Sequence, residues 1–160
     1  MEYEIEWEPM EMDKRRRNAA WALCALWMAV IFAMSAMTGK ASGETSGALA
    51  RFIAALVSLF SGTLGSIDLE YVIRKGAHLT EYAVLFVLYR RALRLSGARK
   101  IGLLALGLTA AYAATDELHQ YFVPGRAATA LDVMIDTCGA LIAWGLTAAV
   151  EKTHRMLKDK

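Results

Sequence analysis

The sequence predicts an all-α integral membrane bundle. It has four transmembrane helices, both termini on the cytoplasmic side, and an interfacial or re-entrant amphipathic helix between spans one and two. Three observations carry this. The 160-residue chain is 56% hydrophobic with a mean hydropathy of +0.33, too apolar for an ordinary soluble domain. Its apolar residues gather into four runs, each near the ~20 residues that cross a ~30 Å hydrocarbon layer. Of its 18 Lys and Arg residues, 13 gather in three groups, before the first run, around the loop after the second and after the fourth.

Residues 1–18 read as a cytoplasmic N-terminal tail. Tyr3-Glu4-Ile5-Glu6-Trp7-Glu8 alternates acidic and apolar residues, but a lone strand has nothing to pair with, so a mobile tail is expected. The membrane domain covers residues 19–150, with spans at about 19–37, 72–93, 101–120 and 131–150. Residues 151–160 form a basic C-terminal tail. Span one resembles a signal peptide with a small-residue site near Ala36, and its length favours an uncleaved anchor.

Charge sets the orientation. Lys14 to Arg17 precede span one, Arg90, Arg91, Arg94, Arg99 and Lys100 gather at the end of span two and in the loop to span three, and Lys152, Arg155, Lys158 and Lys160 follow span four. The positive-inside rule puts these groups in the cytoplasm of a multi-pass cell-membrane protein. Between spans one and two, residues 47–61 carry Leu49, Phe52, Ile53, Leu56, Val57 and Phe60 at helical offsets. The run is short and holds Arg51, so an interfacial position on the outer side is expected. A helix packed on the bundle, without contact to lipid, is the alternative. Trp21, Tyr71 and Tyr121 fall where aromatic belts form. Gly102, Gly107, Gly139 and Gly145 read as helix-contact positions.

The remaining polar residues stand at the outer ends of their spans. On span two, Lys75, His78 and Tyr82 share a helix face, flanked by Glu81. Span three ends with Tyr112, Asp116, Glu117, His119 and Gln120, a Pro124-Gly125 turn carries Arg126, and span four opens with Asp132 and Asp136. Ionisable groups at membrane depth are functional-site candidates, and helices bury them against one another because lipid cannot solvate them.

These residues carry a resemblance. Lys75-x-x-His78-x-x-x-Tyr82, then Asp116-Glu117-x-His119-Gln120-x-Phe122-x-Pro124-Gly125-Arg126, then Asp132 and Gly139, resemble the VanZ-like family. Phe32-x-x-Ser35 with Ser42 and Ser46 is similar to a weaker first motif. The resemblance runs from about residue 31 to 145. The chain departs from the family pattern at Asp136, where Asn is usual, at Ala128-Thr129 after the arginine, and in lacking a Gln after the first-span serine. The resemblance implies an integral membrane protein of the cell envelope associated with lowered susceptibility to glycopeptide antibiotics, teicoplanin in particular. Many members of the family have no assigned activity.

Several chemistries stay open. His78, Asp116 and His119 form a candidate acid–base set, while Lys75, Glu81, Tyr82, Glu117, Gln120, Arg126, Asp132 and Asp136 are candidate ligand-binding residues. Arg126 and Lys75 suit an anionic group; pairing with Asp132 or Asp116 is the alternative for both. Either imidazole could equally be structural, bonded to Asp116 or Glu81. Expected partners are membrane lipids and a lipid-linked envelope precursor or glycopeptide ligand. Turnover of a lipid-phosphate headgroup and a purely helical partner role for an envelope enzyme are the competing readings. No cofactor and no metal site are expected, since no dense ligand spacing occurs. Ser35, Ser42 and Ser46 lack a nucleophile elbow and suit capping or loop roles. Cys24 and Cys138 lie inside apolar runs, where a disulfide is not expected. Nucleic-acid binding has no fold motif to support it.

Overall fold

The computed structural model describes residues 9–44, 46–48, 51–52, 69–126 and 128–158, and every regular element among them is helical. Four long helices dominate: α1 (Pro9–Ser35), α2 (Leu69–Leu95), α3 (Ile101–Tyr121) and α4 (Ala130–Lys158). α1 and α4 run beyond the apolar stretches into the expected tails. No Gly or Pro separates Arg15 to Arg17 from the apolar run, and an established helix gains one hydrogen bond per added residue. Residues 39–44 and 46–48 are also helical. Most of the apolar stripe expected over 47–61 lies outside the described residues, and of it Phe52 is exposed.

α2 is the central helix. α4, α1 and α3 all pack on it, α3 and α4 pack on each other, and α1 meets α3 over a smaller area. Side-chain pairs give the directions. Trp21, midway along α1, donates to the Ser96 hydroxyl after α2 at 3.1 Å, and Trp27, further along α1, donates to the Glu81 carbonyl further back in α2 at 2.9 Å, so α1 and α2 are antiparallel. Ser35 at the end of α1 donates to Asp116 near the end of α3. Lys75 near the start of α2 pairs with Asp132 at the start of α4. The bundle therefore has two chemically different ends. One joins the ends of α1 and α3 to the starts of α2 and α4; the other joins the starts of α1 and α3 to the ends of α2 and α4.

Tight turns permit this layout. Gly97 adopts φ +68° after α2, and the Ala98 amide donates back to Leu93, a left-handed helix stop that suits glycine. After α3, Gly125 takes φ +75°, and the Gly39 amide donates to the Pro124 carbonyl at 3.1 Å. A Cβ on Gly39 would strike the Gly125 carbonyl. The segment after α1 and the turn after α3 thus cross backbone against backbone.

The interior is built from Ile31, Tyr82, Leu85, Phe86, Ala92, Ala105, Ala113 and Ala140, all fully buried. Alanine and glycine let helices approach closely where lipid rather than water surrounds them. Gly139 lies against the Leu79 carbonyl and Gly102 against the Trp144 ring, whereas Gly107 and Gly145 face open space. The helix-contact reading of the four glycines therefore holds for two of them. The outer surface is apolar: Leu26, Leu103, Leu146 and Val150 are each more than half exposed, an arrangement water does not favour. Asp13–Ser35, Ile101–Tyr121 and Ala130–Lys158 are long and apolar enough to cross a membrane. α2, at 27 residues, is equally long and carries charge at both ends.

Candidate functional site

The end of the bundle that joins α1 and α3 to the starts of α2 and α4 holds most of the sequence-predicted residues. α3 points Asp116, Glu117 and Gln120 inward, and all three are buried. Asp116 Oδ2 accepts from the Ser35 hydroxyl at 2.7 Å and from the Gln120 amide at 2.9 Å. Asp116 Oδ1 has no partner. Ser35 is thus a buried donor to Asp116 rather than a loop or capping residue, and its hydroxyl fastens α1 to α3.

α2 supplies Arg74, Lys75, His78, Glu81 and Tyr82. Lys75 pairs with Asp132, the partner the sequence offered as the alternative for a cation here. His78 Nδ1 lies 3.7 Å from Glu81 Oε2 and 3.9 Å from Asp136 Oδ1. Those separations suit a charge pair but exceed a hydrogen bond, and Nδ1 has no hydrogen-bond partner. Asp136 on α4 is 1% exposed, and its Oδ2 is also unpartnered. Tyr82 is fully buried, with its hydroxyl unpartnered and its ring 6.4 Å from that of Tyr112. Tyr112 donates to the Met28 carbonyl at 2.6 Å. Such a concentration of buried polar atoms without partners is unusual in a structural core.

Glu117 and Arg126 organise the helix ends. Glu117 Oε2 accepts from the Thr129 amide at 3.1 Å, just before α4. Arg126 donates from Nε to the Met37 carbonyl and from Nη2 to the Met34 carbonyl, each at 3.2 Å. The Met34 carbonyl also accepts from the Met37 amide at 3.2 Å; both carbonyls stand at the C-terminal end of α1 or just past it, where a cation is favoured. Burial, then the neighbouring Arg74 charge, holds the Arg126 pKa below the ordinary arginine value, although an arginine remains charged.

Two recesses open on this cluster and meet on Arg74, His78 and Arg126. One, of about 350 Å³, is polar and includes Lys75, Glu117, Gln120, Thr129 and Asp132. The other, of about 250 Å³, is walled by Met34, Met37, Ile73 and Ala77, with Ser42, Ser46 and Glu81. Asp116 and Asp136 lie buried behind these walls. His119 lies apart: its ring stacks on Phe32 with centroids 4.3 Å apart, and its buried Nε2 has no partner. Among the described residues, no group of three His, Cys, Asp or Glu side chains is placed to hold a metal. Cys24 and Cys138 are free thiols.

Arg74 walls both recesses yet lies outside the set of residues that motif spacing singles out. A signal was present, since Arg74, His78 and Glu81 share a helix face at offsets of four and three. The thioethers of Met34 and Met37 carried no such signal, because a methionine in an apolar span reads as ordinary lining.

No curated protein and no solved structure matches this chain. The profile of the VanZ/LLP1 family matches residues 20–151, which spans α1 to α4 and every residue of the cluster. The chain is a membrane protein of the VanZ/LLP1 family.

Proposed function

We propose that the chain crosses the cell membrane four times with both termini in the cytoplasm, and that the polar cluster faces the outer leaflet. There it recognises an amphipathic anionic ligand: a lipid-linked envelope headgroup or a lipid-tailed glycopeptide such as teicoplanin. The carrying observation is that a cationic polar recess and an apolar one meet on Arg74, His78 and Arg126. Two guanidiniums near one another gain from an anion placed between them, and arginine forks onto phosphate or carboxylate oxygens. The methionine-walled recess suits the adjoining acyl or prenyl chain. The topology is supported by α2, whose 27 residues give ~40 Å of helix, and by the basic flanks, which gather at the opposite end of the bundle.

The test is paired teicoplanin and vancomycin susceptibility in a glycopeptide-sensitive Gram-positive host. Wild type, Arg74→Gln and His78→Gln are expressed at matched membrane levels. Selective protection against teicoplanin by wild type, lost in both variants, is the expected result. Equal susceptibility with and without the wild-type protein removes the resistance role.

A second reading, hydrolysis or transfer at a lipid phosphate, is favoured by one observation. His78 sits on the wall shared by both recesses with two carboxylates within 3.9 Å of Nδ1. An imidazole so placed suits proton transfer, with Arg74 and Arg126 as the phosphate clamp. Asp116 is committed to Ser35 and Gln120, which suits a positioning role, and His119 stands outside both recesses. Release of phosphate from a labelled polyprenyl phosphate by purified protein, abolished by His78→Gln, separates turnover from binding.

A further inference from the structure

The opposite end of the bundle carries a groove that the polar cluster does not use. It lies between the start of α1 and the end of α2, encloses about 600 Å³, and is lined by Arg16, Arg90, Arg91 and Arg94 over Val87 and Leu95. Among the described residues, one carboxylate serves this group. Glu151 of α4 pairs with Arg90 at 2.6 Å and with Arg94. No described carboxylate pairs with Arg16 or Arg91, so the groove holds an excess of positive charge contributed by two helices. Topology-setting charge alone requires basic residues near a span end; it does not require arginines from two helices to line one recess together with apolar side chains.

The height of the groove identifies its occupant. Trp21 lies beside it, its indole bonded to Ser96 and its ring 6.2 Å from that of Tyr89. A partly exposed tryptophan at a span end marks the membrane–water boundary. Arg16 precedes Trp21 by five residues on the same helix, ~7.5 Å further along, which is the depth of lipid phosphates. Val87 and Leu95 are exposed and lie where an acyl chain begins. We infer that this groove binds one anionic phospholipid of the surrounding leaflet, its phosphate held by Arg16 and Arg91 and its upper chain laid on Val87 and Leu95. Seated there, the lipid joins α1 to α2 at the end of the bundle where the described residues contribute few direct polar links between the two helices. The inference is independent of the ligand proposed for the other end.

The test is lipid binding to the purified full-length chain by native mass spectrometry, in a neutral detergent. The probes are phosphatidylglycerol and cardiolipin against zwitterionic phosphatidylethanolamine, with inorganic phosphate and pyrophosphate as competitors. Wild type is expected to retain one anionic lipid preferentially. Arg16→Gln with Arg91→Gln is expected to weaken that binding ~25-fold, about fivefold for each arginine at a membrane surface. Lys152→Gln with Lys158→Gln removes as much charge from the same end but outside the groove, and is expected to leave binding within twofold. An equal loss in both double variants overturns the site in favour of diffuse surface charge. Lack of lipid preference in wild type, or displacement of the lipid by millimolar pyrophosphate, overturns it as well. Should the double variant fail to insert, Arg91→Gln alone decides, at an exposed position, with its fivefold loss.

Discussion

Asp116 shows how a buried carboxylate is held between two helices. Its two oxygens are treated unequally: Oδ2 takes the Ser35 hydroxyl and the Gln120 amide, while Oδ1 is bare. Removing a donor from a buried carboxylate leaves its desolvation uncompensated. Ser35→Ala is therefore expected to lower the stability of the detergent-solubilised protein by ~1–3 kcal/mol, read as a fall in thermal midpoint. An unchanged midpoint would mean that Asp116 does not depend on this contact. Arg126 has a double character. It donates to the Met34 carbonyl in the last turn of α1 and to the Met37 carbonyl just after it, and it lines both recesses, so loss of the proposed activity in Arg126→Ala would mix unfolding of the α1 end with loss of ligand contacts. The sequence marks both residues by chemical type and by motif. It cannot mark their partners, because Ser35 and Asp116 stand far apart in the chain and meet only when α1 and α3 lie side by side.

Among the elements, glycine placement divides α4 and α3 into packed and open faces. A Cβ on Gly139 would meet the Leu79 carbonyl, and that backbone has no flexible end to yield, whereas Gly145 faces open space. Gly139→Ala is expected to destabilise the α2–α4 contact by ~1–3 kcal/mol, as overpacking commonly does. Gly145→Ala should be neutral or slightly stabilising, because alanine favours the helix. Equal thermal midpoints for the two variants would refute this packing. Helix existence and approximate length are legible in the sequence, since apolar runs of span length leave few other states. The extension of α1 back to Pro9 and of α4 on to Lys158 was not, because charged residues on a helix and in a tail have the same composition. The four glycines likewise look alike in sequence; which of them meet a neighbour depends on the rotation of each helix.

For the whole molecule, the two ends of the bundle differ in chemistry, and the proposed topology assigns them to opposite sides of the membrane. Cysteine labelling tests this in a Cys24→Ala, Cys138→Ala background. Thr38→Cys is expected to react with an impermeant maleimide in intact cells, whereas Arg99→Cys and Lys158→Cys react only after permeabilisation. Labelling of Arg99→Cys in intact cells would reverse the assignment of the polar cluster to the outer leaflet. The sequence by itself determined the all-helical class, the membrane setting, the family and most members of the cluster, because hydropathy, charge segregation and motif spacing are properties of a linear chain. Only the tertiary structure decided that Lys75 takes Asp132, that Arg126 closes α1, that Arg74 belongs at the junction of the two recesses and that His119 does not. Those outcomes depend on how helices rotate and cross, and close packing between helices sets that geometry through contacts between residues distant in sequence.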